Sequence, residues 1–132
     1  MKRFFVLVVA VVVVLFGLAT APAYAFNQAD LTKLQSTNQC KDCDLSGAVL
    51  AGASLMGADL ERANLTGADL TGANLTNADL EKANLGTANL SQANLLGADL
   101  EKANLLGADL TGTNLRGASL EKVTMPDGSK HA

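Results

Sequence analysis

The sequence predicts an all-β solenoid, a four-sided coil of about four turns with a short α-helical cap at its N-terminal end. Three regularities predict it. Leucine occupies every fifth position from Leu45 to Leu120, sixteen times without interruption. The residue two before each leucine is alanine in all units but those of Cys43 and Thr113, and the residue one before is Asn or Asp in thirteen units, giving the repeat A-[D/N]-L-x-x. A second period of twenty is laid over the first, with ADLER at 58–62, ADLEK at 78–82 and 98–102, and ASLEK at 118–122.

A spacing of five fits neither regular element. Leucines five apart would step about 140° around a helix that turns about 100° per residue, so no apolar stripe forms. In a continuous strand an odd spacing would send successive leucines to opposite faces. A chain that turns once per unit satisfies the pattern, with Ala and Leu inward and the intervening Asn or Asp outward. Such a unit buries its apolar face only by stacking on neighbours. Twenty is four fives, so a coil has four sides and sixteen units make four coils, on the order of 20 Å of rod at about 4.8 Å per layer.

Along the chain, Met1, Lys2 and Arg3 give a basic start, Phe4 to Ala19 an apolar run, and Ala23-Tyr24-Ala25 an A-x-A site. These are the parts of a secretory signal peptide over 1–25, cleaved after Ala25. The apolar run is short for a membrane span of about twenty residues, so no stable anchor is expected after cleavage. A cap follows at 26–42, with a short helix over 27–37 in which Asn27 caps the N-terminus, Asp30 lies three residues on, and Leu31 and Leu34 share a face. The coil is expected over 43–127, ending in the Pro126-Asp127-Gly128 turn, with a mobile tail at 128–132. Glycine fills the fifth position of nine units while Arg62, Lys82 and Lys102 fill it in others, which predicts that these turns do not all require positive φ.

The repeat across 43–122, continued weakly by Val123 to Asp127, resembles that of the pentapeptide repeat family. The resemblance implies a right-handed quadrilateral β-helix with Leu at its central position and Ala at its small inward one. Exported members with a short cap and an N-terminal C-x-x-C resemble periplasmic and thylakoid-lumen proteins of cyanobacteria and chloroplasts, which sets the expected location.

Removing Lys2 and Arg3 leaves eight basic against thirteen acidic side chains, a formal net charge of −5. That balance offers no basic patch for nucleic acid. With no Trp, and no Tyr once Tyr24 is removed, little material exists for a pocket. No phosphate-binding glycine loop, Ser-His-Asp set or Cys-His nucleophile is present, so no enzyme, catalytic residue or cofactor is expected. Cys40 and Cys43 form a C-x-x-C that in an exported chain reads first as a structural disulfide. A redox-active pair lacks the surrounding βαβ pattern, and a zinc site lacks ligands, His131 being the sole histidine.

The period-twenty columns of Asp59, Asp79 and Asp99, of Glu61, Glu81, Glu101 and Glu121, and of Arg62, Lys82, Lys102 and Lys122 form the candidate interaction face. The bland reading of these columns is a solvated ladder of ion pairs; the functional one is a docking stripe for a charged partner. Asn64, Asn84 and Asn104, and Asn74, Asn94 and Asn114, are expected to bond from coil to coil. Met56, Leu96 and Leu106 stand outward as a minor apolar patch, and Ala51, Thr71, Ser91 and Thr111 form a small, mostly hydroxylic column too narrow for ice or polysaccharide. The expected function is a monomeric, non-enzymatic, exported module that binds another protein. The alternatives are a DNA-mimicking, topoisomerase-binding rod, against which the modest charge and the short rod count, and a thiol-linked redox sensor at Cys40 and Cys43.

Overall fold

The computed structural model describes residues 26–132; the expected signal peptide over 1–25 and its expected cleavage site lie outside the described residues. From Cys40 onward the chain repeats one turn. In each unit the carbonyl of the central residue accepts the N–H three residues on, as in Ala83 N–H to the Leu80 carbonyl at 2.9 Å. Between turns only the few residues around the Asn/Asp position stay extended, so pairing takes the form of single parallel bridges. Each bridge spans twenty residues: Asp44 to Asn64, Val49 to Asp69, Ser54 to Asn74 and Asp59 to Asp79 in the first coil, and onward to Asn104 with Thr124. One coil therefore has four bridged sides. The first is centred on Asp44, the second on Val49, the third on Ser54 and the fourth on Asp59.

The inward Ala and Leu side chains form one continuous core. Leu60 through Leu105 are fully buried, whereas Leu110, Leu115 and Leu120 in the last coil are only partly so, because no further coil stacks on them. Burial of a leucine contributes about 2 kcal/mol, and here it depends on having a neighbour above and below.

The turns differ from the sequence expectation. All seventeen, from Cys40–Cys43 to Leu120–Val123, have a left-handed third residue, whether Gly or not: φ is 57° at Arg62, 58° at Lys82, 60° at Lys102 and 55° at Thr87. A left-handed third residue is what a type II turn demands. Where a further coil follows, the N–H of that residue donates to it, as Arg62 N–H does to the Glu81 carbonyl at 2.8 Å; Lys122 in the last coil has no such bond and keeps the same conformation, φ 57°. One turn geometry must then serve every layer, and residues other than glycine accept the strain. Thr87 is the most strained case, because a β-branched residue in this region is a genuine outlier. Thr87→Gly is expected to stabilise the fold by about 1 kcal/mol, the left-handed penalty less the entropy of glycine. The check is a higher urea midpoint at unchanged m-value.

The outward Asn and Asp side chains hold the turns locally. Asn64 Oδ1 accepts the Thr66 N–H at 3.1 Å and its hydroxyl at 2.6 Å, and Asn74 does the same with Thr76. Coil-to-coil amide bonds form only from Asn104 to Asn84, 3.1 Å, and from Asn114 to Asn94, 3.0 Å. The expected continuous ladders are thus partial, and the reason lies two residues on. Asn84 and Asn94 precede Gly86 and Leu96, which have no hydroxyl, so their oxygens keep a free lone pair for the next coil. Asn64 and Asn74 have spent theirs on threonine.

Helix α1 spans Gln28–Thr37. Asn27 Oδ1 accepts the N–H of Ala29 at 2.9 Å and of Asp30 at 3.4 Å. Asn38 ends the helix in the left-handed region, with its N–H on the Leu34 carbonyl. Leu31 and Leu34 enter the coil core, and Asp30 ties the helix down by accepting the Asp44 N–H at 2.8 Å. Cys40 and Cys43 are joined in a disulfide across the first turn, and Cys40 Sγ lies 3.2 Å from the Asp30 carbonyl oxygen. At the far end the Pro126-Asp127-Gly128 turn closes with Gly128 N–H on the Met125 carbonyl, 2.9 Å. The tail expected to be mobile folds back: Lys130 bridges Thr124 in antiparallel fashion and His131 N–H donates to the Val123 carbonyl at 2.8 Å. The edge of the last coil offered these residues unpaired backbone groups. Among the described residues no helix is long and apolar enough to cross a membrane.

Candidate interaction face

The period of twenty brings all the charged columns to the fourth side and its following corner. Asp59, Asp79 and Asp99 stand at the bridged position, half-buried, and each uses Oδ1 to accept the N–H of the glutamate two residues on, at 3.2, 3.0 and 2.9 Å. They build the turns more than they face a partner. Glu61, Glu81, Glu101 and Glu121, with Arg62, Lys82, Lys102 and Lys122, project beyond them.

Pairing within these columns runs along the unit. Lys82 pairs with Glu81, Lys102 with Glu101 and Lys122 with Glu121. Like charges repeat every layer, so a cation has no anion directly above it and turns sideways to its sequence neighbour. The exception is the N-terminal junction. There Lys41 heads the glutamate column and Asp42 heads the cation column, with signs reversed. Lys41 accordingly pairs with Glu61 across the layers, and Arg62 grips Asp42 with both arms, Nε to Oδ1 at 2.7 Å and a terminal nitrogen to Oδ2 at 2.8 Å.

Lys41 and Asp42 adjoin the candidate face through ion pairs, and sequence reasoning missed them. Extending the period of twenty back from Glu61 and Arg62 would have found them.

The carboxylates of Asp59, Glu61 and Asp79 come within 4.8 Å of one another. Of the three, Glu61 is already paired with Lys41 and Arg62, while Asp59 and Asp79 accept backbone N–H groups of their own turns. Of the outward apolar residues, Met56, Leu96 and Leu106 are 56, 42 and 50% exposed. Val49, at 63%, was overlooked in the sequence although it breaks the Asn/Asp rule of its position. With Met56 it borders a cavity of about 650 Å³ between helix α1 and the second and third sides of the first coil. The composition gave no hint of this cavity. It arises because a ten-residue helix cannot cover a four-sided end.

Several carboxyls titrate below their ordinary range. The Arg62 guanidinium holds Asp42 down, the hydroxyl and N–H of Thr71 and Thr111 hold down Asp69 and Asp109, Ser129 does so for Asp127, and Lys122 for Glu121. A group whose pKa is lower folded than unfolded contributes stability that is present above the unfolded value and is lost as pH falls through the folded one. The urea midpoint is therefore expected to stay level from about pH 7 to about pH 5 and to drop once pH falls below about 4. A decline beginning near neutrality would contradict this assignment.

The family model for pentapeptide repeats matches residues 39–77 and 83–121. Among solved structures, HetL, a pentapeptide repeat protein involved in heterocyst differentiation regulation from the cyanobacterium Nostoc sp. strain PCC 7120, is 40% identical over 70% of this chain, with a TM-score of 0.43. The match covers 51% of HetL, so this chain spans about half its length. Rfr23 from the cyanobacterium Cyanothece 51142 is 28% identical, with 79% of this chain and 98% of that one covered and a TM-score of 0.59. A pentapeptide repeat protein of the Arabidopsis thaliana thylakoid lumen is 30% identical over 71% of this chain and 70% of its own, with a TM-score of 0.44. No curated protein matches this chain. Repeat, turn and twenty-residue bridge agree with the family's right-handed quadrilateral β-helix, and the chain belongs to the pentapeptide repeat family.

Proposed function

We propose that the chain is a non-enzymatic, exported protein-interaction module, a four-coil rod capped by α1, working in the periplasm or thylakoid lumen. The single observation that carries the reading is the fourth side. It presents Glu-Lys or Glu-Arg pairs in all four layers at a fixed spacing, while the other sides carry small, neutral or isolated residues. A partner with alternating charge at the same spacing would be selected by register more than by net charge. Export rests on the leader and its A-x-A site, and the Cys40–Cys43 disulfide suits an oxidising compartment. A DNA-mimic reading lacks support, because the glutamate column is flanked by a cationic one that pairs with it in every layer.

Crosslinking in the native compartment tests the proposal. The double substitution Glu81→Lys and Glu101→Lys is expected to abolish the crosslinked species at unchanged Tm, whereas Leu96→Ser is expected to retain it. Retention of the same species by the charge-reversed protein would overturn the assignment of this side.

A further inference from the structure

The rod adds layers by one rule, and the first coil leaves that rule half used. In every interior layer the Leu N–H donates to the outward residue of the next coil, as Leu50 N–H does to the Asp69 carbonyl at 2.7 Å. The outward residue returns a bond to the preceding alanine, Asp69 N–H to the Ala48 carbonyl at 2.9 Å, and the turn residue adds a third, Gly52 N–H to the Thr71 carbonyl at 2.8 Å. At the N-terminal end the cap meets these requirements on two sides. Cys40 N–H donates to the Asp59 carbonyl at 2.7 Å, Asp59 N–H to the Asn38 carbonyl at 3.0 Å, and Asn27 N–H to the Asp44 carbonyl at 2.9 Å.

On the second side nothing plays that part, and on the third the cap supplies only one bond, from the Asn38 side-chain amide to the Met56 carbonyl at 2.8 Å. The N–H groups of Val49 and Ser54 and the carbonyls of Val49, Ala51 and Ser54 have no hydrogen-bond partner among the described residues. They border the cavity whose wall is Leu34 of α1 and whose lining includes Leu50 and Leu55, 3 and 4% exposed, together with outward Val49 and Met56. Its α1 wall continues through polar Gln35, Ser36 and Thr37, and a partly apolar trough beside an unpaired backbone edge is a template for strand addition.

We infer that this notch binds an extended segment of another protein, which continues the layer begun by Asn38–Asp42. The rule that pairs the coils fixes the chemistry of the segment. It needs a small residue whose carbonyl accepts the Val49 N–H, an outward residue of any type, and an aliphatic residue whose N–H donates to the Val49 carbonyl and whose side chain stacks on Leu50. To reach the third side it must turn with a residue that accepts positive φ, so glycine follows two places later and the pattern repeats over Ser54 and Leu55. The ligand class is small-x-aliphatic-x-Gly-small-x-aliphatic. The cap already occupies the same edge in the same register, and the trough is its direct continuation. The last coil also has unpaired N–H groups, but its own tail folds back along that edge, pairing Lys130 with Thr124 and His131 with Val123. This site is separate from the charged side, and neither reading depends on the other.

The test uses the ¹⁵N-labelled protein and a blocked eight-residue peptide with the sequence of Ala68 to Leu75, which carries this pattern and occupies the second and third sides within the rod itself. Saturable shifts of the Val49, Ala51 and Ser54 amides are expected. The same peptide N-methylated at its two leucines loses the donors to the Val49 and Ser54 carbonyls and is expected to bind at least tenfold more weakly. Val49→Pro, which removes the edge donor on the protein side, is expected to weaken the unmodified peptide as well. The inference is overturned if no shift appears at millimolar peptide, if the methylated peptide binds equally well, or if the shifts fall on Leu110 to Leu120 or report self-association of the protein.

Discussion

Leu80→Ala is expected to destabilise the protein by about 3 kcal/mol, within the range for emptying a leucine site that cannot collapse. Leu80 is fully buried between Leu60 and Leu100, which are also fully buried, in the column that Cys40 heads and Leu120 ends. Its neighbours are held by backbone bonds in both directions, Leu80 N–H to the Asp79-equivalent residue Asp99 at 2.7 Å and Asp79 N–H to Ala58 at 2.9 Å. The layers cannot close over the gap without breaking that pairing. Leu115→Ala, in the partly exposed last coil, removes the same atoms with a neighbour on one side only and is expected to cost about half as much or less. Urea unfolding of both proteins checks the ratio. An equal loss would mean that the rod behaves as a uniform core and that position along the stack does not matter, contrary to nearest-neighbour stabilisation.

The contrast between Leu80 and Leu115 also explains what the sequence could and could not convey. The five-residue period determines which side chains point inward, and the period of twenty determines which units stack. Both are properties of the repeat, and each unit reports them independently of its surroundings. Helix α1 was legible for a similar reason, since Asn27, Leu31 and Leu34 act within ten residues. What was not legible depends on more than one layer. The left-handed conformation of Arg62, Lys82, Lys102 and Thr87 belongs to the turn that all layers share, so residue type at one position is a poor guide to it. Whether an asparagine bonds to its own turn or to the next layer is decided by the hydroxyl two residues on in the acceptor layer. The cavity beside Val49 follows from the footprint of the helix on the coil, which no local pattern records. The charged columns were legible as columns; the reversal of sign at Lys41 and Asp42, which adds axial pairs to the lateral pair of Glu61 and Arg62, emerges only when the period of twenty is carried back before the first leucine of the repeat.

Ala83→Leu is expected to be at least as damaging as Leu80→Ala, costing about 3 kcal/mol. Overpacking a filled core forces side chains off their rotamers or moves backbone, and here the backbone is fixed, with Ala83 N–H on the Leu80 carbonyl at 2.9 Å and its own carbonyl accepting Asn104 N–H at 2.9 Å. Exceptions in the sequence support the argument. The column through Ala63, Ala83 and Ala103 begins with Cys43 and ends with Val123, both buried, and Thr113 replaces alanine only in the last coil, where its hydroxyl finds the Leu90 carbonyl at 2.7 Å. Larger inward residues thus occur only where one stacking neighbour is missing and the side chain can lean outward along the axis. Ala118→Leu, in that last coil and partly exposed, is expected to cost less than about 1 kcal/mol. If thermal unfolding instead found Ala83→Leu tolerated and Ala118→Leu damaging, the restriction to alanine would have to arise from the turn itself, and the position of a unit in the stack would have no bearing on which residues it accepts.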